Sequence, residues 1–442
     1  MTDGDDRDLR RKARRWLAGG IVLRLITAVV QGPLNRDFHF GVILRMVDTG
    51  RIPISNATDQ SYHPPLYYAL AAPVFALTHR PKAVQMLSLV FAIATLIVLF
   101  RLTVHSPLFG SPRERLWAFA LLAVQPQLVA YGLFVSNDTL ATLIGATCCW
   151  LLWRWLDQPG ATRLRLLGLA CGAGLLTKAS FLGFAAVFAC VVPVMTYRFD
   201  RTTAVRRTLE FVALVVVIGS YKYVENLWYF GALSVTPFDV GADWIVEQAQ
   251  GRHLPGAYLG TAVRSLFLDP TGNSRQPYAA ALFRTFWIEY LPMSNLVLAR
   301  RWPFFLPGSG ALVLAIVPSV LMAAGVAEGL ATLPRWLFRR NAPDRDALLA
   351  IGTRLPIVLL VSILGIMIVT EFRWHAWSIM HARLLLPACA GAYAALAIGW
   401  SRLRAVLGTA ADRLVVPVLA ALTTLLLVQQ VVDMVLVLGS RV

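Results

Sequence analysis

The sequence predicts an all-α polytopic membrane protein with about eleven transmembrane helices, and ten to thirteen once soft boundaries are allowed for. Three observations predict it. Of 442 residues, 57% are hydrophobic and 15% charged, where a soluble chain carries roughly a quarter charged residues. The apolar residues come in long unbroken runs, and mean hydropathy is +0.62. The charges are also lopsided, 41 Lys+Arg against 24 Asp+Glu, a net +17. This composition excludes an ordinary soluble enzyme and a disordered chain. In a membrane protein the basic excess reports orientation and calls for no nucleic-acid partner.

The chain opens with a basic arm over residues 1–15, holding Arg7, Arg10, Arg11, Lys12, Arg14 and Arg15. Asp3, Asp5, Asp6 and Asp8 crowd this arm, Arg24 interrupts the following apolar run, and no clear A-x-A site follows. An uncleaved first helix with a cytoplasmic N-terminus fits better than a signal peptide. Apolar runs then lie near 16–32, 83–104, 116–135, 139–156, 164–178, 180–197, 208–225, 303–330, 348–370, 384–401 and 414–438. The run at 66–77 lies between Pro64-Pro65 and His79-Arg80-Pro81. At 1.5 Å per residue it reaches only about 18 Å, so it reads as an interfacial helix. Cys148, Cys149, Cys171, Cys190 and Cys389 all fall inside apolar runs without metal-ligand spacing and read as packing residues.

Orientation follows from the arginines. With eleven spans, the inside loops carry Arg101, Arg113 and Arg115, then Arg154, Arg163 and Arg165, then Arg198, Arg201, Arg206 and Arg207. Later ones carry Arg335, Arg339, Arg340 and Arg345, then Arg402, Arg404 and Arg413. Counting 66–77 as a span would put the arginines after it outside. The organisation is therefore a transmembrane module over 16–225 with a first outer loop at 33–82, an extracytoplasmic region at 226–302 and C-terminal helices over 303–442. No internal repeat is visible, which weakens an inverted-repeat transporter.

Polar residues at span ends are functional candidates. "NRDFHFGVILRMVDTGRIP" places Asp37 and His39 at the start of a short amphipathic helix over 37–49. Asp37 reads either as a helix-dipole charge or as chemistry. "SYHPPLYY" puts His63 at the N-terminus of the 66–77 helix, as a cap or as a ligand contact. "LFVSNDTLATL" makes Asn137 and Asp138 part of a short outer connection, where either residue can cap a helix. Parity returns Asp138 to the face of Asp37, which makes an acid/base or metal-assisted pair of carboxylates. "GLLTKASFLG" supplies Lys178, one of four lysines, which can snorkel to headgroups or hold the phosphate of a lipid-linked substrate. "WSIMHARLLLPA" brings His381 and Arg383 in from outside, with Arg383 suited to clamping a phosphate. Lys222 and Glu225 read as an ion pair. Six of seven histidines map outside but lack zinc spacing, and no P-loop, dinucleotide fingerprint or nucleophile elbow is present.

Taken in order, Asp37-x-His39, "GRIP", "HPPLYY", "SND" and "LLTK" resemble the GT-C superfamily of polytopic glycosyltransferases. The likeness is to the branch with protein O-mannosyltransferases and the lipid A aminoarabinose transferase, and to related bacterial membrane proteins. "VENLWYFGAL" and "HARLLLP" are similar to two later islands of that family. The resemblance implies a GT-C-like fold with interfacial helices in the first outer loop. It further implies an inverting transferase of the cytoplasmic (inner) membrane, using a polyprenyl-phosphate sugar donor and a lipid, glycan or protein acceptor, with the active site facing outside. By that resemblance Asp37 is the catalytic base and Asp138 supports or positions the reacting groups. Lys178 binds the donor phosphate, with His39, His63, Asn137 and Arg383 around the substrate. Two carboxylates without a further acid cluster leave a divalent cation, Mg2+ or Mn2+, open as a cofactor.

The chain departs from the family where Phe38 follows Asp37, where His63 precedes the proline pair in place of lysine, and where Glu225 stands at a frequent arginine position. His63 would be cationic only when protonated. The rival function is a transporter or flippase of lipid-linked saccharides, which would line a pathway at mid-membrane depth with charge. Here the conspicuous charges gather at outer helix ends, with Arg24 the main exception.

Overall fold

The computed structural model describes residues 3–33, 38–236, 239, 278–291, 296–339, 343–374 and 381–440. Each apolar run becomes a helix, because a segment in lipid can satisfy its backbone N–H and C=O groups only internally. In chain order these are α1 (Asp3–Val30), α2 (His39–Thr49), α3 (Leu66–Thr78), α4 (Pro81–Val104), α5 (Pro112–Val124), α6 (Pro126–Ala130) and α7 (Asn137–Asp157). Then come α8 (Ala161–Leu175), α9 (Phe181–Phe199), α10 (Ala204–Gly219), α11 (Tyr221–Phe230), α12 (Tyr278–Trp287) and α13 (Leu296–Ala299). The chain continues with α14 (Leu306–Leu337), α15 (Arg345–Trp374), a 3-10 segment (Ala382–Ala388), α16 (Cys389–Leu407) and α17 (Ala410–Gly439).

Among the described residues, seven helices are long and apolar enough to cross a membrane, or eight when the bent pair Pro112–Val124 and Pro126–Leu133 is one span. The chain is a multi-pass membrane protein, and the count of eleven is not confirmed. The shortfall has local causes: α8 and α10 have 15 and 16 residues, and the apolar part of α1 after the basic arm runs only from Trp16 to Val30 and carries Arg24. As the sequence predicts, α3 is a short apolar helix, 13 residues long. The N-terminal arm is continuous with the first span, and its Leu9 and Ala13 are buried.

The 116–135 run does not cross as one rod. It bends by 48° at Gln125-Pro126, since proline has no N–H to give and crowds the preceding turn. The carbonyls released there are answered by side chains from other spans. Arg24 Nη1 donates to the Ala123 carbonyl at 2.9 Å and Gln430 Nε2 to that of Val124 at 2.8 Å. Gln125 itself donates to the Phe286 carbonyl and accepts from the Tyr393 hydroxyl. Arg24, which interrupts the first apolar run, is thus a cap for a broken helix.

Packing brings α1 against α4 and α5, α4 against α7, α8 against α10, and α14 against α16 and α17. The α14–α16 contact is reciprocal. A Cβ on Gly325 would overlap the Ala395 carbonyl, and one on Gly399 the Leu321 carbonyl. Residues four apart on each antiparallel partner leave room for backbone-to-backbone approach, the small-residue logic of membrane helix pairs.

Basic side chains gather at one end of the bundle. Arg404 pairs with Glu114 at 3.1 Å and Asp412 at 2.8 Å, Arg113 reaches Asp412 at 2.6 Å, and Arg115 reaches Asp6 at 3.7 Å. These arginines are members of the set that the orientation argument assigns to one side. Gly399→Ala is expected to force α14 and α16 apart and to cost about 1–3 kcal/mol, read as a lower thermal midpoint of the purified protein in detergent, while alanine at the open Gly365 position leaves it unchanged.

Candidate functional site

At the other end, three short connections meet. The turn after α8 is tied to the start of α3 by the Leu66 N–H donating to the Leu176 carbonyl at 2.9 Å. It is tied to the start of α7 by Asn137 Nδ2 donating to the Thr177 carbonyl at 3.1 Å. "HPPLYY", "SND" and "LLTK", far apart in sequence, are therefore one cluster held by backbone acceptors.

Lys178 and Asp138 form a buried ion pair across this junction, the carboxylate 3% and the lysine side chain 9% exposed. Asp138 also takes a hydrogen bond from Ser136 Oγ at 3.2 Å, and Ser136 caps α7 by accepting from the Asp138 N–H. Capping explains Ser136, but the Asp138 side chain is engaged with lysine. Asn137 Oδ1 is buried without a hydrogen-bond partner, which leaves an acceptor at the site.

The histidines stack above the pair. His39, buried at the start of α2, shares a 2.6 Å hydrogen bond with the Tyr68 hydroxyl and lies 5.4 Å from His63, ring centre to ring centre. His63 is within electrostatic reach of His39, Lys178, Asp138 and Arg383. Burial, with the His39, Lys178 and Arg383 charges behind it, pushes its imidazole well below the ordinary 6.5, against the pull of Asp138. His63 is neutral at pH 7 and does not replace the lysine usual before the proline pair.

Arg383 enters on the 3-10 segment before α16. Its guanidinium lies 5.5 Å over the Tyr131 ring. The Arg383 N–H donates to His381 Nδ1 at 3.3 Å, so the His381 proton sits on Nε2, 3.1 Å from Glu289, and Gln127 donates to the same carboxylate at 3.0 Å. The 3-10 segment can approach α7 because Gly145 has no Cβ; one there would overlap the Pro387 carbonyl.

The structure thus brings together His39, His63, Asn137, Asp138, Lys178 and Arg383. Asp37 lies outside the described residues. Helix α2 begins at His39, two residues later than read from the sequence, because Phe38 takes φ 60°, a left-handed conformation that ends helical propagation. Tyr68, Tyr131 and Glu289 were missed as site residues. Tyr68 and Tyr131 sit in apolar stretches, where a tyrosine hydroxyl gives no signal, and Glu289 meets His381 only through tertiary folding. Lys222 and Glu225 do pair, and Lys222 also donates to the Pro53 carbonyl at 3.2 Å while Ser55 bonds Asn226. These contacts pin the "GRIP" loop to α11.

Among the described residues, no group of three or more His, Cys, Asp or Glu side chains is placed to hold a metal ion. Asp138 faces the Lys178 ammonium.

Residues 62–221, about a third of the chain, match the family model described as dolichyl-phosphate-mannose-protein mannosyltransferase. The matched span contains His63, Asn137, Asp138 and Lys178, and it overlaps the stretch whose motifs resemble protein O-mannosyltransferases. No curated protein matches. Among solved structures, the Archaeoglobus fulgidus oligosaccharyltransferase in its apo form aligns at TM-score 0.48 and 11% identity, over 96% of this chain and 56% of that one. The arabinofuranosyltransferase AftD from Mycobacteria aligns at 0.46 and 17%, over 95% and 27%. ArnT from Cupriavidus metallidurans bound to undecaprenyl phosphate aligns at 0.38 and 13%, over 89% and 78%. The chain spans about half the length of the oligosaccharyltransferase.

Two outcomes test the site. Asp138→Asn or Lys178→Met alone strands a buried charge and is expected to cost about 3–5 kcal/mol, whereas the double variant recovers most of that loss; thermal unfolding of the three proteins checks it. The second concerns pH. Unfolded His63 takes up a proton near 6.5 and the folded residue only well below that. The stability this histidine contributes is therefore full above pH 6.5 and is lost as pH falls below it. His63→Gln should flatten the acid limb of the Tm-against-pH curve.

Proposed function

We propose that the chain is an integral-membrane, inverting glycosyltransferase that moves a sugar from a polyprenyl-phosphate donor to an acceptor hydroxyl at the outer face of the cytoplasmic membrane. The observation that carries the reading is the Asp138–Lys178 pair with Arg383, His39 and His63 at one membrane end, inside and beside the segment that matches a family described by a dolichyl-phosphate-linked sugar.

Chemistry of that kind needs no nucleotide pocket. The phosphate already on the sugar is the leaving group, so the protein must align donor and acceptor and stabilise phosphate charge. Lys178 and Arg383 bring cationic donors to the phosphate. The Tyr131 face and the Glu289–His381 pair fix the position of Arg383. Asp37, one residue before the described α2 turn, is the base. It accepts the proton of the attacking hydroxyl as the acceptor oxygen bonds to the anomeric carbon. The sugar–phosphate bond breaks with its electron pair going to polyprenyl phosphate. Asp138 keeps Lys178 oriented. A transporter of lipid-linked saccharides would want free charge at mid-depth, but Arg24 is committed to the Gly20 and Ala123 carbonyls.

The test gives purified protein polyprenyl-phosphate sugars with lipid, glycan and peptide acceptors. Asp37→Asn is expected to lower transfer by about 10²–10⁴-fold, the range of a general base, with binding of the donor kept. Undiminished transfer by Asp37→Asn would remove it as the base. Donor-stimulated lipid translocation without any transfer would favour the transporter.

A further inference from the structure

At the end of the bundle away from the candidate site, α9 and α10 diverge from the C-terminus of α14 and leave a groove of about 960 Å³. Along α9 the distance from the Lys178 junction is about 25 Å, at 1.5 Å per residue. The groove is amphipathic by position. Val194, Val205 and Leu209 line its membrane-side walls, and Arg198, Arg201 and Arg339 stand at its mouth. Val205 and Leu209 are 72% and 62% exposed, so none of the described elements covers this wall.

The arginines are organised rather than scattered. Arg198 is held by two carbonyls at the end of α14, Trp336 at 2.8 Å and Leu337 at 3.1 Å. Arg201 lies over the Tyr197 ring at 5.1 Å. Arg339 stacks on Trp336 at 6.0 Å, with Asp344 at 3.5 Å. Apart from Asp344 on Arg339, the nearby acids are engaged elsewhere: Asp200 with Thr202, Thr203 and Arg207, and Glu210 with Arg165. The first turn of α10, at Ala204 and Val205, also lines the groove, and a helix N-terminus favours an anion.

We propose that this groove binds one anionic phospholipid, with its headgroup phosphate among Arg198, Arg201 and the α10 N-terminus and its acyl chains along Val194, Val205 and Leu209. Charge and polarity both point to this occupant. A soluble anion would leave the apolar wall uncovered, and a zwitterionic lipid would bring its own cation to an arginine cluster. Basic pockets between spans at the positively charged side of a membrane protein are the recognised setting for such lipids. The groove lies at the arginine-rich end and shares no residue with the candidate site, so the proposal stands whether or not transferase activity is found.

The experiment measures lipids retained by the full chain in native mass spectrometry, with phosphatidylglycerol and phosphatidylcholine of matched acyl chains. Phosphatidylglycerol is expected to bind at least about fivefold more tightly, the contribution of one basic side chain near an anionic surface. Arg201→Gln should remove about that factor, and Val205→Trp, which fills the groove without touching charge, should displace the lipid. Neither residue anchors another span, so both variants keep the parent Tm. Soluble glycerol phosphate at equal concentration should not compete. Equal retention of the two lipids, unchanged retention in both variants, or displacement by glycerol phosphate would overturn the proposal.

Discussion

A buried carboxylate and a buried ammonium are each expensive in a membrane protein, and together they set the geometry of the site. Asp138 starts α7 and Lys178 sits between α8 and α9, so their pairing fixes two connections against each other. Each is reinforced by a hydrogen bond to backbone, Asn137 to Thr177 and Leu66 to Leu176. The interfacial helices α2 and α3 then settle on this floor, with His39, His63 and Tyr68 at their contact. Removing one partner would strand the other charge and disturb the floor rather than one side chain.

The bundle meets the same demand in a second place. Proline at position 126 opens a span in a setting where water cannot satisfy carbonyls, and Arg24 and Gln430 reach in from α1 and α17 to do so. The break directs α6 and the following 3-10 turn so that Tyr131 lies beneath Arg383. A helix defect is thereby converted into a platform for the Arg383 guanidinium.

Much of this was legible in the sequence. Long apolar runs marked the helices, the arginines sorted the two ends, and parity returned Asp138 to the face of the first outer loop, where His39 and His63 now lie beside it. What was not legible has physical causes. A hydropathy run cannot show the bend at Gln125-Pro126, because the residues on both sides are equally apolar. The run at 208–225 looks long enough to span because it crosses the break at Ser220 between α10 and α11, and the run at 164–178 is itself only 15 residues. Tyr131 and Glu289 depend on contacts between segments more than 90 residues from Arg383 or from one another in the chain, which no local spacing encodes.

The central claim is that this end of the bundle holds a lipid-linked phosphate, and binding of polyprenyl phosphate itself, without a sugar, tests it most directly. At a free concentration of about 100 times Kd, a ligand bound only by the folded state adds about 2.7 kcal/mol to stability. The account predicts that polyprenyl phosphate raises the Tm of the parent protein, that polyprenol lacking the phosphate does not, and that Arg383→Gln loses the rise. Equal stabilisation by polyprenol, or a full rise in Arg383→Gln, would contradict it.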